Sequence, residues 1–456
     1  MKKKFPVLSV LVLLFSLSIT AQKDAKFSEE MKQEMCNKVK IATQHAWQGY
    51  KQYAWGADDL KPLTKEPKFW YKKSMLMTPV DAFDTFTLLG LTKEANEAKE
   101  LILTKLDFNI DNDVQVFEIT IRLLAGLITA YELDGNKKFL TLAQDLANRL
   151  MPAFNSKTGM PYRYVHLQTG KTRDGINNPA EIGTLMMEFG KLSKLTGNNK
   201  YYNAAKKAIM LVYKSRSILD LVGEQIDVQT GKWVNTKSHI GAYIDSYYEY
   251  LYKSWLLFGD KDFKTAFDTH NKAIKKHLIS KTNNGWFMHQ VDMNTGKIIS
   301  TTYGALEAFY AGLCAFAGDV ETGRQIQEAN YYMWTRFNIE PEEFNFKTDT
   351  IISAYYILRP ENLESAFYMY RLTGELKYLW QGKVMVESII EHCKNDVGFA
   401  SLKNVQTFEK TNSMESFFFG ETLKYAYLIF APESTLDFKK VVLTTEAHPF
   451  KIEKKK

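Results

Sequence analysis

The sequence predicts an all-α protein built from repeated helical hairpins that close into a ring. First, one short pattern recurs: an apolar helix ends in glycine, a polar turn follows, and an aromatic residue opens the next helix. Second, the helical segments carry apolar residues at spacings of three and four, and strand-like alternation is scarce. Third, neither end of the chain shows a polar capping repeat, which favours a closed toroid over an open solenoid.

The repeated turn marks the boundaries between helices. Glycine is common just past a helix end because it accepts a positive φ, and an aromatic residue after the turn pins the second helix to the first. The intervals between these glycines are roughly 45 to 62 residues, as expected for stacked hairpins. A seventh hairpin is expected to end near residues 430–432. The glycine–aromatic pairs are Gly135–Phe139, Gly197–Tyr201, Gly259–Phe263 and Gly374–Tyr378, with looser turns at Gly90 and Gly318.

The first residues are typical of a secretory signal rather than of a fold. Three lysines at positions 2–4 precede an apolar run at 7–19, and small residues follow at 18–21. We therefore expect a signal peptide over residues 1–21, cleaved near Ala21, and a secreted or periplasmic protein. Residues 22–456 are expected to form a single domain, since no Pro/Gly/Ser-rich linker interrupts them.

Composition excludes several classes of partner. The formal charge is +7, and removing the three lysines of the leader gives 7 − 3 = +4, with both signs interspersed, so no nucleic-acid footprint is present. No later segment is apolar enough to span a membrane. Cys36, Cys314 and Cys393 show neither zinc spacing nor a disulfide framework, and at most one pair can form. We expect a monomer.

Acidic residues interrupt the apolar helices in the same register of successive repeats. Each lies near a helix start in aromatic company, so a closed ring would bring them together at one central pocket. Buried carboxylates are costly unless they are paired, bind a metal or serve a function. Carboxylates beside aromatic faces suit a cation or a sugar, and two carboxylates are the machinery of glycoside hydrolysis. The alternative for any single acid is an ion pair on a helix surface, such as Glu118 with Arg122. The segments are 116–126, 180–188, 241–250, 359–364, 416–425 and 444–449.

These segments resemble glycoside hydrolase family 47, the class I α-mannosidases, across nearly the whole mature length. The strings that carry the resemblance are 78–85, 117–122, 245–251, 358–361, 416–425 and 445–449. The resemblance implies an (α/α)7 barrel with a C-terminal β-hairpin entering it, calcium as cofactor, and inversion at the anomeric carbon of an α-linked mannose. The sequence around the catalytic Asp is most similar to the ER-degradation-enhancing mannosidase-like branch. The short leader is consistent with a secreted bacterial member of the family.

The resemblance also implies roles for individual residues. The three catalytic carboxylates fall on Glu118, Asp245 and Glu361. Glu361 is the expected base that activates water; Glu118, directly or through a water, and Asp245 are competing candidates for the acid. Calcium is expected on the carbonyl and hydroxyl oxygens of Thr445. The residues expected to line the sugar site are Arg122, Glu181, Arg359, Glu364, Phe417, Glu421 and Glu446.

Two positions depart from the pattern of the oligosaccharide-trimming members. Tyr243 stands where those members carry an arginine, and Ala305 stands near the place of a histidine. Both positions are expected to shape the leaving-group side of the cleft. The sequence therefore does not predict the identity of the acceptor sugar, whereas all the residues expected around the cleaved mannose are present.

Three functions are compared. The first is a secreted, calcium-dependent, inverting exo-α-mannosidase that cuts α-1,2 bonds in mannose-containing glycans. The second is a glycan-binding protein that keeps the barrel and turns over slowly or not at all; the complete set of acids argues against it. The third, a sugar epimerase, would need a histidine pair in the pocket, and only His448 belongs to a matched motif.

Overall fold

The computed structural model describes residues 26–452. Within them, seven inner helical segments alternate along the chain with seven outer helices. The inner segments are Met77–Leu89; Val116–Ile119, Thr120–Leu124 and Ala125–Asp134; Pro179–Gly183 and Met186–Thr196; Asp245–Phe258; Leu306–Ala308 and Phe309–Phe316; Glu361–Thr373; and Phe418–Thr422 with Leu423–Leu428. The outer helices are Glu29–Tyr53, Thr92–Lys105, Lys137–Leu150, Lys200–Lys214, Lys261–His277, Val320–Phe337 and Lys377–Cys393. Short 3₁₀ turns lie at Met151–Phe154 and Glu433–Thr435.

The ring closes between the two ends of the described chain. The last inner helix, Leu423–Leu428, packs against the first outer helix, Glu29–Tyr53, and against the first inner helix, Met77–Leu89. One hydrophobic core runs from Phe27 to Phe450 through the whole ring. The predicted (α/α)7 barrel is therefore confirmed.

The glycine turns have the geometry that the repeat predicts. Each of the glycines that ends an inner helix has a positive φ, between 70° and 79°. The aromatic residues that open the next outer helices are buried, because they pack the outer layer onto the inner one. The glycines are Gly90, Gly135, Gly197, Gly259 and Gly374, and the buried aromatics are Phe139, Tyr201, Phe263 and Tyr378.

Short strands are more numerous than the sequence predicts. Apart from the C-terminal hairpin, Val441–Leu443 with Pro449–Lys451, they lie in the connections from each outer helix to the next inner helix, and therefore at the barrel end where the inner helices begin. The strands are Asp59–Lys61, Glu66–Lys68, Asp113–Gln115, Tyr164–His166, Thr172–Arg173, Ile176–Asn177, Gln225–Asp227, Trp233–Asn235, Lys237–Ser238, Ile279–Thr282, Gly285–Met288, Gln290–Asp292, Ile298–Ser300, Thr302–Gly304, Glu343–Asn345, Thr350–Ser353, Leu402–Asn404, Glu409–Lys410, Val441–Leu443 and Pro449–Lys451.

These strands join one connection to the next around the mouth of the barrel. Antiparallel pairs link Gln115 with Tyr164, Asn177 with Ile226, and Gly304 with Glu343. Each pair joins residues from two successive connections. The sheets therefore fix the spacing of the inner-helix starts, which carry the acidic residues.

The C-terminal hairpin enters the barrel as predicted. Val441–Leu443 pairs antiparallel with Pro449–Lys451, and the two strands contact the inner helices Asp245–Phe258 and Ala125–Asp134. Lys191 donates from Nζ to the carbonyl oxygen of Lys451 at 2.8 Å, which fixes the base of the hairpin. The hairpin tip, residues 444–448, reaches the space enclosed by the inner helices.

Three further expectations concern the chain as a whole. The predicted signal peptide, residues 1–21, lies outside the described residues. Cys36, Cys314 and Cys393 are buried free thiols, so no disulfide forms among them. Over residues 26–452, no helix combines the length and the apolar character that a membrane span requires.

Candidate active site

A cavity of about 280 Å³ opens at the end of the barrel where the inner helices begin. All eleven residues that the sequence analysis assigns to the site line this cavity, so their expected convergence is observed; their individual roles stay predictions. Eight carboxylates and two arginines surround it: Glu118, Glu181, Asp245, Glu249, Glu361, Glu364, Glu421, Glu446, Arg122 and Arg359. Aromatic side chains and Thr445 complete the wall: Phe117, Tyr243, Phe309 and Phe417.

Helix starts place several of these acids at the cavity. Asp245 and Glu361 are each the first residue of an inner helix, where the helix dipole favours a negative charge. Leu358 has φ of 65° and Pro360 caps the helix, so the chain turns sharply before Glu361 enters it. The expectation that the acids of segment 359–364 lie near a helix start is confirmed.

Two π-helical segments direct further side chains into the cavity. Arg122 lies in the segment Thr120–Leu124, and Glu421 lies in Phe418–Thr422. A π segment inserts extra backbone into a helix and shifts the direction of its side chains, and such segments are frequent at functional sites. The sequence analysis places both residues at the site without predicting the π geometry.

Arg122 forms an ion-pair network on one side of the cavity. Its guanidinium contacts Glu118 at 2.9 Å and Glu446 at 2.8 Å, and lies 5.5 Å from the centre of the Phe417 ring. Burial acts to lower the pKa of Arg122, but Glu446 and the other acids outweigh it and raise that pKa. Burial raises the pKa of Glu446 to about 7, against the opposing effect of Arg122. The Glu118–Arg122 ion pair exists, but at the cavity rather than on an outer surface.

Arg359 occupies another side of the cavity beside Glu361. It donates from Nε and Nη2 to both oxygens of Glu342, at 3.1 and 2.5 Å, and lies 3.8 Å from Glu361. Burial raises the pKa of Glu361 to about 8, although Arg359 opposes that shift. The Oε2 atom of Glu361 is buried and accepts no hydrogen bond from residues 26–452. Glu361 is therefore an acid held ready for a ligand rather than satisfied by the protein.

Asp245 combines burial with a local hydrogen bond. Its Oδ1 accepts from the backbone N–H of Ser246 at 2.7 Å. Burial raises its pKa to about 6, and the Ser246 hydrogen bonds oppose that shift. Asp245 can thus exchange a proton in mildly acidic solution, which suits the acid role.

The two departures from the family pattern differ in position. Tyr243 lies at the rim, 48% exposed, with φ of 76°, and its carbonyl accepts from the N–H of Ala180 at 2.9 Å. Ala305 is buried and does not line the cavity; Leu306 and Phe309 form the wall there. The expectation that the side chain at position 305 shapes the cleft is therefore wrong for this chain, because its short side chain lies behind that wall.

The sequence analysis missed the residues that support the acids from outside the cavity. Lys253 forms a buried ion pair with Glu249, an acid that lines the cavity. Arg163 pairs with Glu181 at 2.7 Å. Lys253 lies inside an inner helix and Arg163 lies just before the strand Tyr164–His166, so only the spacing of Lys253 four residues after Glu249 could have indicated one of them.

Two further acids in the cavity form no ion pair with a basic residue in the part of the chain that the structure describes. Glu364 accepts from the Tyr425 hydroxyl at 3.1 Å, and burial raises its pKa to about 8. Burial, with Glu446 acting in the same sense, raises the pKa of Glu421. Together with Asp245 and Glu361, they give the cavity an excess of acid that favours a cation.

Thr445 lies at the tip of the C-terminal hairpin. Its backbone N–H donates to the Tyr250 hydroxyl at 3.3 Å. Among residues 26–452, no three His, Cys, Asp or Glu side chains lie close enough together to bind a metal by themselves. A cation here would need the oxygens of Thr445 and water molecules held by the surrounding carboxylates.

The sequence pattern that defines glycosyl hydrolase family 47 matches residues 42–452. The chain belongs to glycosyl hydrolase family 47. This family 47 enzyme is a glycoside hydrolase, and its carboxylate-lined cavity is the part of the molecule equipped for that chemistry.

Known members are similar over most of their length. The family 47 enzyme is 37% identical to ER degradation-enhancing alpha-mannosidase-like protein 2 of Mus musculus, over 87% of this chain and 71% of that protein. It is 35% identical to mannosyl-oligosaccharide 1,2-alpha-mannosidase MNS1 of Arabidopsis thaliana, over 91% and 78%. The structure of alpha-1,2-mannosidase from Trichoderma reesei superposes with a TM-score of 0.86 at 28% identity, over 92% and 99%. Relatives of both branches match at similar identity, so assignment to one branch stays a prediction.

Proposed function

We propose that this family 47 enzyme hydrolyses terminal α-1,2-linked mannose from glycans, with calcium as cofactor and with inversion at the anomeric carbon. The observation that carries the proposal is a cavity lined by eight carboxylates, of which Glu361 has a buried oxygen that accepts no hydrogen bond within residues 26–452. The names of the relatives supply the sugar and the linkage.

The proposed reaction needs one base and one acid. Glu361 removes a proton from a water molecule, whose oxygen attacks the anomeric carbon as the bond to the leaving oxygen breaks. Glu118 or Asp245 supplies the proton that the leaving oxygen takes up. The pKa of Asp245 is raised to about 6, which supports Asp245 as the acid, whereas Glu118 is held at the cavity by its contact with Arg122. Both carboxylates therefore stay candidates for the acid.

The charge of the cavity supports a bound cation. Eight acids face two arginines, and burial raises the pKa of Glu361 and Glu364 to about 8. We propose that Thr445 holds calcium through its carbonyl and hydroxyl oxygens, while waters link the ion to nearby carboxylates. Bound calcium supplies positive charge that favours ionised carboxylates and can grip adjacent sugar hydroxyls.

The remaining cavity residues fit a sugar. Phe417 and Phe309 offer faces for the apolar C–H surfaces of a hexose, and Arg122 and Arg359 can donate to its hydroxyl groups. We propose that the mannose to be cleaved occupies this space and that the acceptor side begins at Tyr243. The exposed phenol there supports an acceptor preference that differs from that of an enzyme with arginine at the rim.

Further proposals rest on the sequence alone. The basic and apolar leader at residues 1–21 supports secretion or a periplasmic location. The expected monomer, the single domain over residues 22–456, the branch and a bacterial source stay predictions.

A glycan-binding protein with slow turnover is the second candidate. The observation that favours it is the pKa of Glu361, which burial raises to about 8. A protonated Glu361 cannot act as a base at neutral pH unless a cation or the substrate changes its ionisation. The two functions therefore differ in their response to calcium.

A panel of linkage-defined mannosides tests the proposal. We expect release of mannose from α-1,2-mannobiose with calcium present, and little release from the α-1,3, α-1,6 and β-linked disaccharides. Addition of calcium should restore the activity of enzyme whose calcium has been removed by a chelator. Binding of the α-1,2 disaccharide without release of mannose, with and without calcium, would favour the glycan-binding protein instead.

A further inference from the structure

The tip of the C-terminal hairpin is held by buried polar contacts that the proposed reaction does not use. Within the tip, the Thr444 N–H donates to the His448 carbonyl at 3.0 Å, and the His448 N–H donates to the Thr444 hydroxyl at 3.1 Å. Ala447 has φ of 57°, a conformation that non-glycine residues adopt rarely. The loop therefore has a defined, tightly turned shape that presents Thr445 to the cavity.

A buried charged cluster fixes this loop from behind. The His448 Nδ1 atom lies 2.8 Å from Asp84 Oδ2, and Lys424 Nζ lies 3.0 Å from Asp84 Oδ1. Lys424 also donates to the carbonyl oxygen of Ala447 at 2.8 Å. His448, Lys424 and Asp84 are fully buried, and they come from the hairpin and two inner helices.

The space for this cluster is built into the inner helices. A Cβ at Gly126 would lie 3.4 Å from the His448 ring and 2.6 Å from the Val80 side chain. The imidazole Nε2 lies 3.6 Å from Asp81 Oδ1, and Asp81 accepts a hydrogen bond from the Ser416 hydroxyl. The hairpin loop is thus tied to several inner helices rather than to one neighbour.

A second support holds the loop from the other side. The Tyr250 hydroxyl accepts from the Thr445 N–H at 3.3 Å and donates to Glu188 Oε1 at 2.5 Å. Glu188 is fully buried and lies outside the cavity lining. Tyr250 therefore connects the backbone of Thr445 to a rigid helix through a single hydroxyl group.

We propose that His448, Lys424 and Tyr250 are positioning residues that hold the oxygens of Thr445 in the geometry a divalent cation requires. A cation with few direct protein ligands depends on the placement of each, and partners behind the ligands commonly change metal affinity by about 10–100-fold. These residues then set the affinity for calcium as well as supporting the fold. The inference rests on the proposed calcium site.

The test measures calcium affinity by titration calorimetry on the full chain, beside the melting temperature of the calcium-free protein. Tyr250→Phe removes one hydroxyl, and His448→Ala removes the imidazole. Matched controls are Tyr310→Phe, whose buried hydroxyl donates to Asn271, and His270→Ala, whose buried ring contacts the Tyr247 hydroxyl and the Asp220 carbonyl.

We expect Tyr250→Phe and His448→Ala to raise the calcium Kd at least ~10-fold, and both controls to leave it unchanged even where their melting temperatures fall as far. Changes in the calcium Kd no larger than those of the controls would overturn the inference. If His448→Ala does not fold, the calcium Kd of Tyr250→Phe compared with that of Tyr310→Phe decides the question. Absence of calcium binding by the unaltered protein would overturn this inference and the proposed calcium site together. Calcium binding without mannoside hydrolysis would contradict the proposed reaction alone.

Discussion

At the scale of single residues, the acids of the cavity fall into two groups. Some form ion pairs with basic side chains, and others keep an oxygen that the protein does not hydrogen-bond. Glu181 and Glu249 each have a basic partner, Arg163 and Lys253. Within residues 26–452, Glu361 has a buried oxygen that accepts no hydrogen bond from the protein. Because Glu361 lines the cavity, this oxygen can accept a hydrogen bond from a ligand there, whereas Glu181 and Glu249 are held by their basic partners.

The role of Glu361 as base is tested by Glu361→Gln. The amide keeps the shape of the side chain but cannot accept a proton from water, so we expect hydrolysis of α-1,2-mannobiose to fall by at least ~10²-fold while an inhibitor still binds. Glu132→Gln is the matched control, because Glu132 is buried near the far end of an inner helix beside Lys191. Unchanged turnover in Glu361→Gln would remove Glu361 from the reaction.

The choice between the two candidate acids is tested with a substrate whose leaving group needs no protonation. We expect the variant that lacks the acid, Glu118→Gln or Asp245→Asn, to lose at least ~10²-fold in kcat on the disaccharide and to recover most of that loss on an α-mannosyl fluoride. Glu361→Gln should recover nothing, because the missing base is needed for either substrate. Equal losses by both acid variants on both substrates would exclude either residue as the sole acid.

A pH dependence of stability follows from Glu307. Burial raises the pKa of this carboxyl from 4.5 to about 8, and Glu343 acts in the same sense. The folded state therefore binds more protons than the unfolded state between pH 4.5 and about 8, so this contribution to stability is lost as the pH rises through that range.

Glu307→Gln should remove that dependence, because an amide does not titrate. We expect the melting temperature of the variant, relative to the unaltered protein, to increase as the pH rises from 4.5 to about 8. Thermal unfolding across this range measures it. A difference in melting temperature that stays constant with pH would contradict the buried, protonated state of Glu307.

The rim residue Tyr243 should affect the acceptor more than the cleaved mannose. Its side chain is half exposed and stands on backbone with φ of 76°. We expect Tyr243→Arg to change the relative kcat/KM among α-1,2-mannosides with different acceptor sugars, while the Kd of a monosaccharide inhibitor changes little. Equal effects on both would place Tyr243 beside the mannose instead.

At the scale of secondary-structure elements, the site is assembled from helix starts, two π segments and one hairpin tip. The acids at helix starts were predictable, because residues 359–364 and 241–250 carry a recognisable break followed by apolar periodicity. The π segments Thr120–Leu124 and Phe418–Thr422 were not, because a π segment leaves no local signature in composition. The short strands were missed because two to four residues are too few to show alternation.

The hairpin makes a prediction of its own about calcium. A ligand bound only to the folded state stabilises that state, so removal of calcium should lower both the melting temperature and the activity. If calcium was present at 100 times its Kd, its removal should lower the free energy of unfolding by about 2.7 kcal/mol. Thermal unfolding with EDTA, and with EDTA already saturated with calcium as control, measures the effect. No change in either property would count against the Thr445 site.

At the scale of the whole molecule, the sequence predicted the ring and the composition of its cavity, because both depend on repeated local patterns. The glycine turns and the buried aromatic residues that follow them recur at similar intervals, so the helix boundaries could be predicted from the sequence. The partners behind the acids were missed. Glu342 is 17 positions before Arg359, and Asp84 is 364 positions before His448. Glu342 and Arg359 meet where a single connection folds back on itself, whereas Asp84 and His448 meet only because the ring closes.

The ring also explains why separate hairpins can build one site. Successive connections pair through short strands around the mouth, so each inner helix is fixed relative to its neighbours. Glu118, Asp245 and Glu361 thereby reach one cavity from three inner helices. Inversion needs an acid and a base that act from opposite sides of the sugar, and a cavity that receives carboxylates from three helices can supply both.

Proton NMR of freshly released mannose is the most direct test of that claim. With α-1,2-mannobiose and calcium, we predict that the β anomer appears first and that the α anomer grows only by later mutarotation. The α anomer as the first product would contradict inversion, and with it the assignment of Glu361 as the base that activates water.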